Sequence, residues 1–269
     1  MTTQDKILES KVIQSECLSA LTSEELLSQY KGRVSLIYVD PPFMTQKTQK
    51  LHGKSYEDKF ENLESYIKFL WGRIAVAKNY LTDNGSLFLH IDYRVVHHVK
   101  VMLDKVFAGK NDEYVECKNF MNEIIWAYDY GGRAKKHWSR KHDNILWYVN
   151  NPKEYIFNFD EMDRIPYMAP GLQKDPEKAK RGKTPTDVWW HTIVPTNGKE
   201  RVGYPSQKPL GILERIIKVH TQPDDIVMDF FAGSGTSVVA AAKLGRKYLA
   251  IDSNPDAIEI INQRLNEVH

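Results

Sequence analysis

Asp40-Pro41-Pro42-Phe43 places a carboxylate, two prolines and a flat ring side by side. The prolines have no N–H to donate and a fixed φ, so their carbonyls are left to accept. An ionised carboxylate is acceptor-only. Such an acceptor pair suits an –NH2 group, which has two hydrogens to give, and Phe43 offers a face to a planar ring. On the residues alone, a proline-stopped strand with Asp40 in a turn and Phe43 in the core is the simpler account.

Asp229-Phe230-Phe231-Ala232-Gly233-Ser234-Gly235-Thr236 is the second constellation. Two glycines allow a tight turn and bring a ligand close to backbone N–H groups at a helix N-terminus. Asp252 follows Gly233 by 19 residues, at the end of the next strand. A carboxylate there can accept from a ribose diol. The layout is that of nucleotide-type cofactor sites, but Val238 stands where a dinucleotide fingerprint needs its third glycine. A tight strand-to-helix turn with Asp252 as a surface acid is the plain alternative.

The elements around these residues follow from periodicity. Val34–Val39 is apolar, β-branched and aromatic, and reads as a buried strand stopped by prolines. Asn62 to Leu81 has helical spacing, with Tyr66, Ile67, Leu70, Ile74, Ala77 and Leu81 on one face. Asn84-Gly85 signals a turn before a strand Ser86–Ile91, and Asp92 is expected to cap a helix to about Phe107. Further strands are expected at Asn122–Tyr128, Asn144–Val149 and Tyr155–Phe159. Glu161–Tyr204, rich in Pro, Gly and Lys, reads as an irregular insert. Pro209 opens a helix to about His220.

The end of the chain is clearest: strand Ile226–Asp229, helix Thr236–Leu244, strand Lys247–Ile251, and a helix capped by Asn254 through Leu265. That alternation marks a parallel sheet. Only 33 residues follow Thr236, too few to build an open sheet. The other strands must come from the N-terminal half, which sets Val34–Val39 beside Ile226–Asp229.

Composition narrows the class. The chain has 269 residues, 42% hydrophobic and 27% charged, an ordinary globular balance that excludes disorder, collagen and coiled coil. No stretch approaches 18 apolar residues, and the start lacks the apolar segment of a secretory signal, so a soluble cytoplasmic protein is expected. Cys17 and Cys117 are the only cysteines, so neither a zinc site nor a disulfide framework is expected. The net charge of +2 hides a split. Gly131–Lys208 holds 15 Lys and Arg against 9 Asp and Glu, whereas the rest is net acidic. Arg133, Lys135, Lys136, Arg140 and Lys141 form one cluster; Lys174, Lys178, Lys180, Arg181 and Lys183 form another. Trp126, Tyr128, Tyr130, Trp138, Trp147 and Tyr148 interleave with the first. Clustered cations neutralise phosphates and aromatic faces stack on bases, although a solvated basic loop accounts for the cluster equally well.

DPPF at 40–43, Gln207-Lys208-Pro209 and DFFAGSGT at 229–236, in that order, resemble the β group of S-adenosylmethionine-dependent DNA amino-methyltransferases. The resemblance covers most of the chain, Glu161–Gly203 excepted. It implies an α/β fold: an open, mostly parallel Rossmann-like sheet with helices on both faces, a circularly permuted motif order and a small irregular target-recognition insert. Residues 1–150 and 204–269 are then the catalytic and cofactor domain, and 151–203 the insert.

The resemblance also implies roles. Phe231, Gly233, Ser234, Gly235 and Thr236 surround the methionine end of the cofactor, Asp252 holds its ribose, and Lys208 lies near its carboxylate. Glu16-Cys17 resembles the segment that contacts its adenine, while Glu16 as a helix-start acid is the competing reading. Asp229 either meets the cofactor or only stabilises its loop. Asp40, Pro41, Pro42 and Phe43 form the catalytic corner, acting on an adenine N6 flipped from duplex DNA, with no metal. Arg133, Lys135, Lys136, Arg140 and Lys141 are expected on DNA phosphates. A homodimer and a cognate restriction endonuclease are further partners the resemblance brings in, with a bacterial or archaeal nucleoid as setting. The family more often has Tyr at position 43 and Glu at 252. Cytosine N4 or an RNA target stays open within the class. A nicotinamide-dependent oxidoreductase lacks support in the missing third glycine and the late cofactor unit. A degenerate DNA-binding module conflicts with intact DPPF and GSG motifs.

Overall fold

The computed structural model describes residues 8–51, 53–112 and 114–268. The chain opens with strand β1 (Lys11–Gln14), short helices α1 (Cys17–Thr22) and α2 (Glu24–Leu27), and strand β2 (Val34–Val39). A hairpin of β3 (Lys47–Leu51) and β4 (Lys54–Asp58) follows, then helix α3 (Leu63–Ala77), strand β5 (Leu81–Ile91) and helix α4 (Val96–Ala108). Strands β6 (Phe120–Ala127) and β7 (His142–Val149) come next, then helix α5 (Pro176–Arg181) and strand β8 (Val188–Trp190). Helix α6 (Leu210–His220), strand β9 (Ile226–Asp229), helix α7 (Thr236–Lys243), strand β10 (Lys247–Asp252) and helix α8 (Pro255–Asn266) complete the fold.

Eight strands form one open sheet in the order β1-β10-β9-β2-β5-β7-β6-β8. Only β7 runs against its neighbours. The carboxyl ends of the other seven strands therefore share one edge with the start of β7. Strand β2 lies between β5 and β9, with Ile37 opposite Met228, so the two distant parts of the chain meet as the sequence requires. From β9 the chain moves toward β10, and from β2 toward β5. The β2–β9 border is thus a topological switch point, where open α/β sheets bind ligands.

Both faces of the sheet are covered. All six residues of β2 are buried. Ile37 and Val39 join the core under α3 and α4, while Leu36 and Tyr38 join the core under α6 and α7. That two-sided burial is why the run is apolar without alternation. Helix α3 starts at a reciprocal cap, in which Asn62 accepts from the Ser65 N–H and the Ser65 hydroxyl accepts from the Asn62 N–H. It buries Tyr66, Leu70, Ile74 and Ala77 of the expected face; Ile67 is half-buried, and the helix ends at Ala77, so that Leu81 is the first residue of β5 instead. Of these buried residues, Leu70 and Ile74 each contribute about 1.5–3 kcal/mol by burial.

Four further expectations need correction. Tyr155–Phe159 is not a strand; its backbone is irregular and donates from Ile156 N to Asn84 O. Asn84-Gly85 does not precede β5 but sits inside it, where the register with β2 jumps between Leu81 and Ser86. A Cβ on Gly85 would stand 2.9 Å from Thr82 Oγ1, so the crowding explains the glycine. Asp92 does not cap α4 with its side chain; its Oδ1 accepts from Arg94 N and its Oδ2 pairs with the Arg94 guanidinium. The expected irregular stretch also contributes strand β8, which pairs with β6 in the main sheet.

Candidate active site

Asp40 follows the last residue of β2, at the switch point. Its Oδ2 accepts from Lys208 Nζ at 2.6 Å, and its Oδ1 is buried with no partner among the described residues. Pro42's carbonyl accepts from the Tyr66 hydroxyl at 2.8 Å, which ties the corner to α3. No donor among the described residues reaches the Pro41 carbonyl. Two groups neighbour the Phe43 ring: the Lys208 ammonium is 5.0 Å from its centroid, and the His90 ring is 5.8 Å away and tilted. Burial opposes the charge of Lys208, but Asp40 and Asp143 outweigh it and hold its pKa above the usual lysine range.

His90 is completely buried at the end of β5. One ring nitrogen meets the Tyr38 hydroxyl at 2.7 Å, the other Asp143 Oδ2 at 3.1 Å, and Tyr128 donates to Asp143 Oδ1 at 3.0 Å. This hydrogen-bonded core lies behind Phe43. His97 and His98 are exposed on α4.

The glycine bend faces the corner across the switch point. Asp229 Oδ1 accepts from Phe231 N at 3.0 Å and Oδ2 from the Ser237 hydroxyl at 2.5 Å. Burial pushes the Asp229 carboxyl up to about 7. Asp252 Oδ2 accepts from Gly233 N at 2.7 Å and Oδ1 from Asn254 N at 2.8 Å; burial raises its pKa too. Gly233 and Gly235 have φ of 49° and 74°, in the left-handed region. The Thr236 hydroxyl donates to the Lys208 carbonyl at 3.1 Å, so the bend and the QKP segment are one unit. Arg264 from α8 donates to Ser234 O at 2.6 Å.

Glu16 does cap α1, accepting from Ser19 N at 2.9 Å, and it also meets the Arg73 guanidinium at 2.5 Å. Burial works against its charge, but the Ser19 and Leu18 N–H groups and Arg73 overcome it and lower its pKa to about 2. Burial pushes the Cys17 thiol up to about 12, so it is not a reactive thiolate. Arg73 stacks 3.6 Å over the Phe69 ring, which lies 5.9 Å from that of Phe231.

One cavity of about 760 Å3 collects these groups. Glu16, Cys17, Asp40, Pro41, Pro42, Phe43, Lys208, Asp229, Phe231, Gly233, Ser234, Thr236 and Asp252 all line it. Gly235 does not; it sits behind the bend, against Ile261. The β3–β4 hairpin, unforeseen from sequence, closes the cavity with Tyr56 and Asp58. Tyr56 reaches Ser206 at 3.0 Å, and Asn254 donates to Ser55 O at 3.2 Å, strapping the hairpin to the opposite wall. Among the described residues no cluster of His, Cys, Asp and Glu is arranged to hold a metal.

The first basic cluster lies elsewhere, in the β6–β7 loop. Arg133 pairs with Asp129 at 2.8 Å, Arg140 stacks on Tyr93 with its guanidinium 4.4 Å from the ring, and Lys141 donates to the Tyr130 and Gly131 carbonyls. Lys135 and Lys136 are exposed without a partner among the described residues. Lys178, Lys180 and Arg181 of the second cluster fall in the last turn of α5.

Comparison with known proteins agrees with this geometry. The sequence profile of the N6/N4 methyltransferase family, described as DNA methylase, matches residues 34–263. The type II methyltransferase M.ScaI of Streptomyces caespitosus is 31% identical over 90% of this chain and 79% of its own. The DNA adenine methyltransferase YhdJ of Escherichia coli K12 is 30% identical over 87% of this chain and 76% of its own. The crystal structure of the M1.HpyAVI–SAM complex superposes with a TM-score of 0.65 at 21% identity, covering 95% of this chain and 98% of that one, a likeness of fold. No helix among the described residues is long and apolar enough to cross a membrane. With the profile spanning most of the sequence, this chain belongs to the DNA methylase family and is an S-adenosylmethionine-dependent DNA amino-methyltransferase.

Proposed function

We propose that the protein methylates the exocyclic N6 of adenine at a specific site in duplex DNA. One observation carries this reading: the Asp40–Pro41 acceptor corner and the glycine bend open into the same cavity. Its volume of about 760 Å3 suits a nucleoside-bearing cofactor. When bound, S-adenosylmethionine supplies an electrophilic methyl on a sulfonium.

The chain's own residues divide the work. Phe231, Gly233, Ser234 and Thr236 line the wall for the methionine end, with Asp229 bracing them and Gly235 fixing the bend from behind. Asp252 faces the ribose, and Glu16 and Cys17 the cofactor adenine. The target amine is a poor nucleophile because its lone pair delocalises into the ring. Asp40 Oδ1 and the Pro41 carbonyl, neither of which has a donor among the described residues, take its two hydrogens. That favours rehybridisation at nitrogen and stabilises the positive charge that develops there. A buried, unpartnered carboxylate oxygen calls for a functional explanation, and a donor arriving with the substrate supplies one. Lys208 neutralises the other side of the same carboxylate. Phe43, backed by His90, receives the face of a base flipped out of the duplex. Pro42 holds the corner through Tyr66.

In this proposal residues 1–150 and 204–269 are the catalytic and cofactor domain, and 151–203 the target-recognition insert. Arg133, Lys135, Lys136, Arg140 and Lys141 form the basic side that meets DNA, three of them through a loop they themselves brace. The proposal extends to a homodimer, a cytoplasmic setting and a cognate restriction endonuclease; relatives named type II methyltransferases support the last. The deciding experiment expresses the protein in a host free of methylated adenine, digests the DNA to nucleosides and sequences it with detection of modified bases. N6-methyladenine at one sequence is the expected result. N4-methylcytosine, or unmodified DNA beside methylated RNA, overturns it.

A further inference from the structure

Trp138 is 95% exposed, at the tip of the β6–β7 loop. A tryptophan carries the largest apolar payload of any side chain, and here none of it is spent on packing. Yet the loop is built rather than slack. Ala134 N donates to the Ser139 hydroxyl at 2.8 Å and closes the tip. Lys141 donates to the Tyr130 and Gly131 carbonyls and pins the base. Arg133 is held by Asp129, and Arg140 lies on Tyr93. Three of the five clustered cations thus brace the loop. The two left over, Lys135 and Lys136, are exposed three and two residues before Trp138.

The loop stands where the chemistry is. It joins the end of β6 to the start of β7, on the sheet edge that also carries Asp40 and the glycine bend. A cleft of about 370 Å3 at its foot is lined by Tyr93, Tyr128, His137, Arg140 and Asp143. From that cleft Asp143 bonds His90, and the His90 ring lies against Phe43. One aspartate and one histidine separate the foot of the loop from the ring assigned to the target base.

We infer that Trp138 is a wedge: it enters the duplex where the target adenine leaves, while Lys135 and Lys136 hold the flanking phosphates. The inference rests on the proposed action on paired DNA. A flipped base leaves an unstacked gap, and an apolar side chain inserted between base steps offsets the lost stacking. The flanking charge selects nucleic acid as the occupant, and the flat indole suits a base step.

The test uses a duplex carrying the sequence found methylated in the host DNA, and the same duplex with an abasic site opposite the target adenine. For Trp138→Ala, kcat/KM on the paired duplex should fall about 10- to 100-fold, and on the abasic duplex by less than about threefold, because little unpairing remains to be driven. Trp138→Phe should keep most of the activity on both. A 2-aminopurine beside the target should be quenched by the wild-type protein and not by Trp138→Ala. Equal losses on the two duplexes overturn the wedge and leave Trp138 a general DNA grip; unchanged kinetics on both also overturn it. If the wild-type protein methylates neither duplex, the functional proposal itself fails and the wedge falls with it. Trp138 packs on nothing, so the alanine variant has no core to lose.

Discussion

The glycine bend and the Asp-Pro-Pro-Phe corner face each other across one cavity, yet their carboxylates are treated in opposite ways. At the bend every oxygen has a donor: Asp229 takes Phe231 N and the Ser237 hydroxyl, and Asp252 takes Gly233 N and Asn254 N. At the corner, Asp40 has Lys208 on one oxygen and, among the described residues, no donor on the other. The first arrangement is a shelf finished before any ligand arrives. The second keeps an acceptor in reserve, and its free energy cost is borne by the fold until a donor comes. Binding and chemistry are separated by how completely each acid is satisfied.

The sharpest way to break that contrast is Asp40→Ala. Methyl transfer should fall at least about 1,000-fold, while cofactor affinity by calorimetry changes less than about threefold. The variant also leaves the Lys208 ammonium, whose side chain is 9% exposed, without its carboxylate partner and with only the Ser206 carbonyl at 3.3 Å. Losing one partner of a buried pair costs about 3–5 kcal/mol, so the urea midpoint should drop. Adding Lys208→Met should restore most of that stability and none of the activity. Recovery of activity in the double variant would mean that Asp40 serves the fold and not the reaction.

Next comes a pH effect on the shelf side. The folded Asp229 carboxyl keeps its proton to about 7, whereas an unfolded aspartate releases it near its ordinary value of 3.8. The native state therefore binds more protons between these values, and raising the pH favours the unfolded chain. The stability Asp229 contributes is fully present below about 3.8, is lost as pH rises through about 7, and is flat beyond; the span is on the order of 4 kcal/mol. Urea melts from pH 4.5 to 7.5 on wild type and Asp229→Asn check this, since the difference between the two should carry the slope. A constant difference across the range would show that burial does not hold the proton there.

Much of the frame behind this contrast is legible in the sequence, and the reasons are physical. Strands buried on both faces write continuous apolar runs, and βα turns need glycine, so Val34–Val39, Ile226–Asp229 and the bend stood out. The β3–β4 hairpin did not, because KTQKL and KSYED are polar strands facing water and a ligand cavity rather than a core. Strand β8 is three residues long and borrows its order from β6. Lys208 was recognisable by motif, but its bond to Asp40 spans 168 residues and leaves no local trace. The bracing of the basic loop was equally hidden, because composition counts charges without saying which are already paired.

Asp252→Asn probes the shelf's ligand side. An amide in place of the charge weakens the bond to Gly233 N and whatever the cofactor ribose gives. Hydrogen bonds to charged groups contribute about 1.5–3 kcal/mol, so cofactor Kd should rise about 10- to 100-fold. Turnover at saturating cofactor should stay within about twofold, because the acid touches no reacting atom. A fall in kcat with unchanged Kd would move Asp252 to the chemical side.

The smallest expected effect is the cleanest for the architecture. Gly235 has φ of 74°, and a Cβ there would lie 2.5 Å from Ile261 Cγ1, on α8. Gly235→Ala must therefore strain the backbone and shift α8 against α7. The cost should be about 1–3 kcal/mol, read as a lower Tm by about 2–4 °C per kcal/mol. Because Gly235 lies behind the cavity wall, methyl transfer below the melt should fall only as far as the bend moves. Gly233→Ala makes the paired measurement, since that residue lines the cavity with φ of 49°. It should lose cofactor affinity out of proportion to stability, whereas Gly235→Ala should lose stability out of proportion to affinity. Two glycines in one motif would then separate by function: one makes room for the ligand, and the other makes room for the helix that holds the ligand's wall in place.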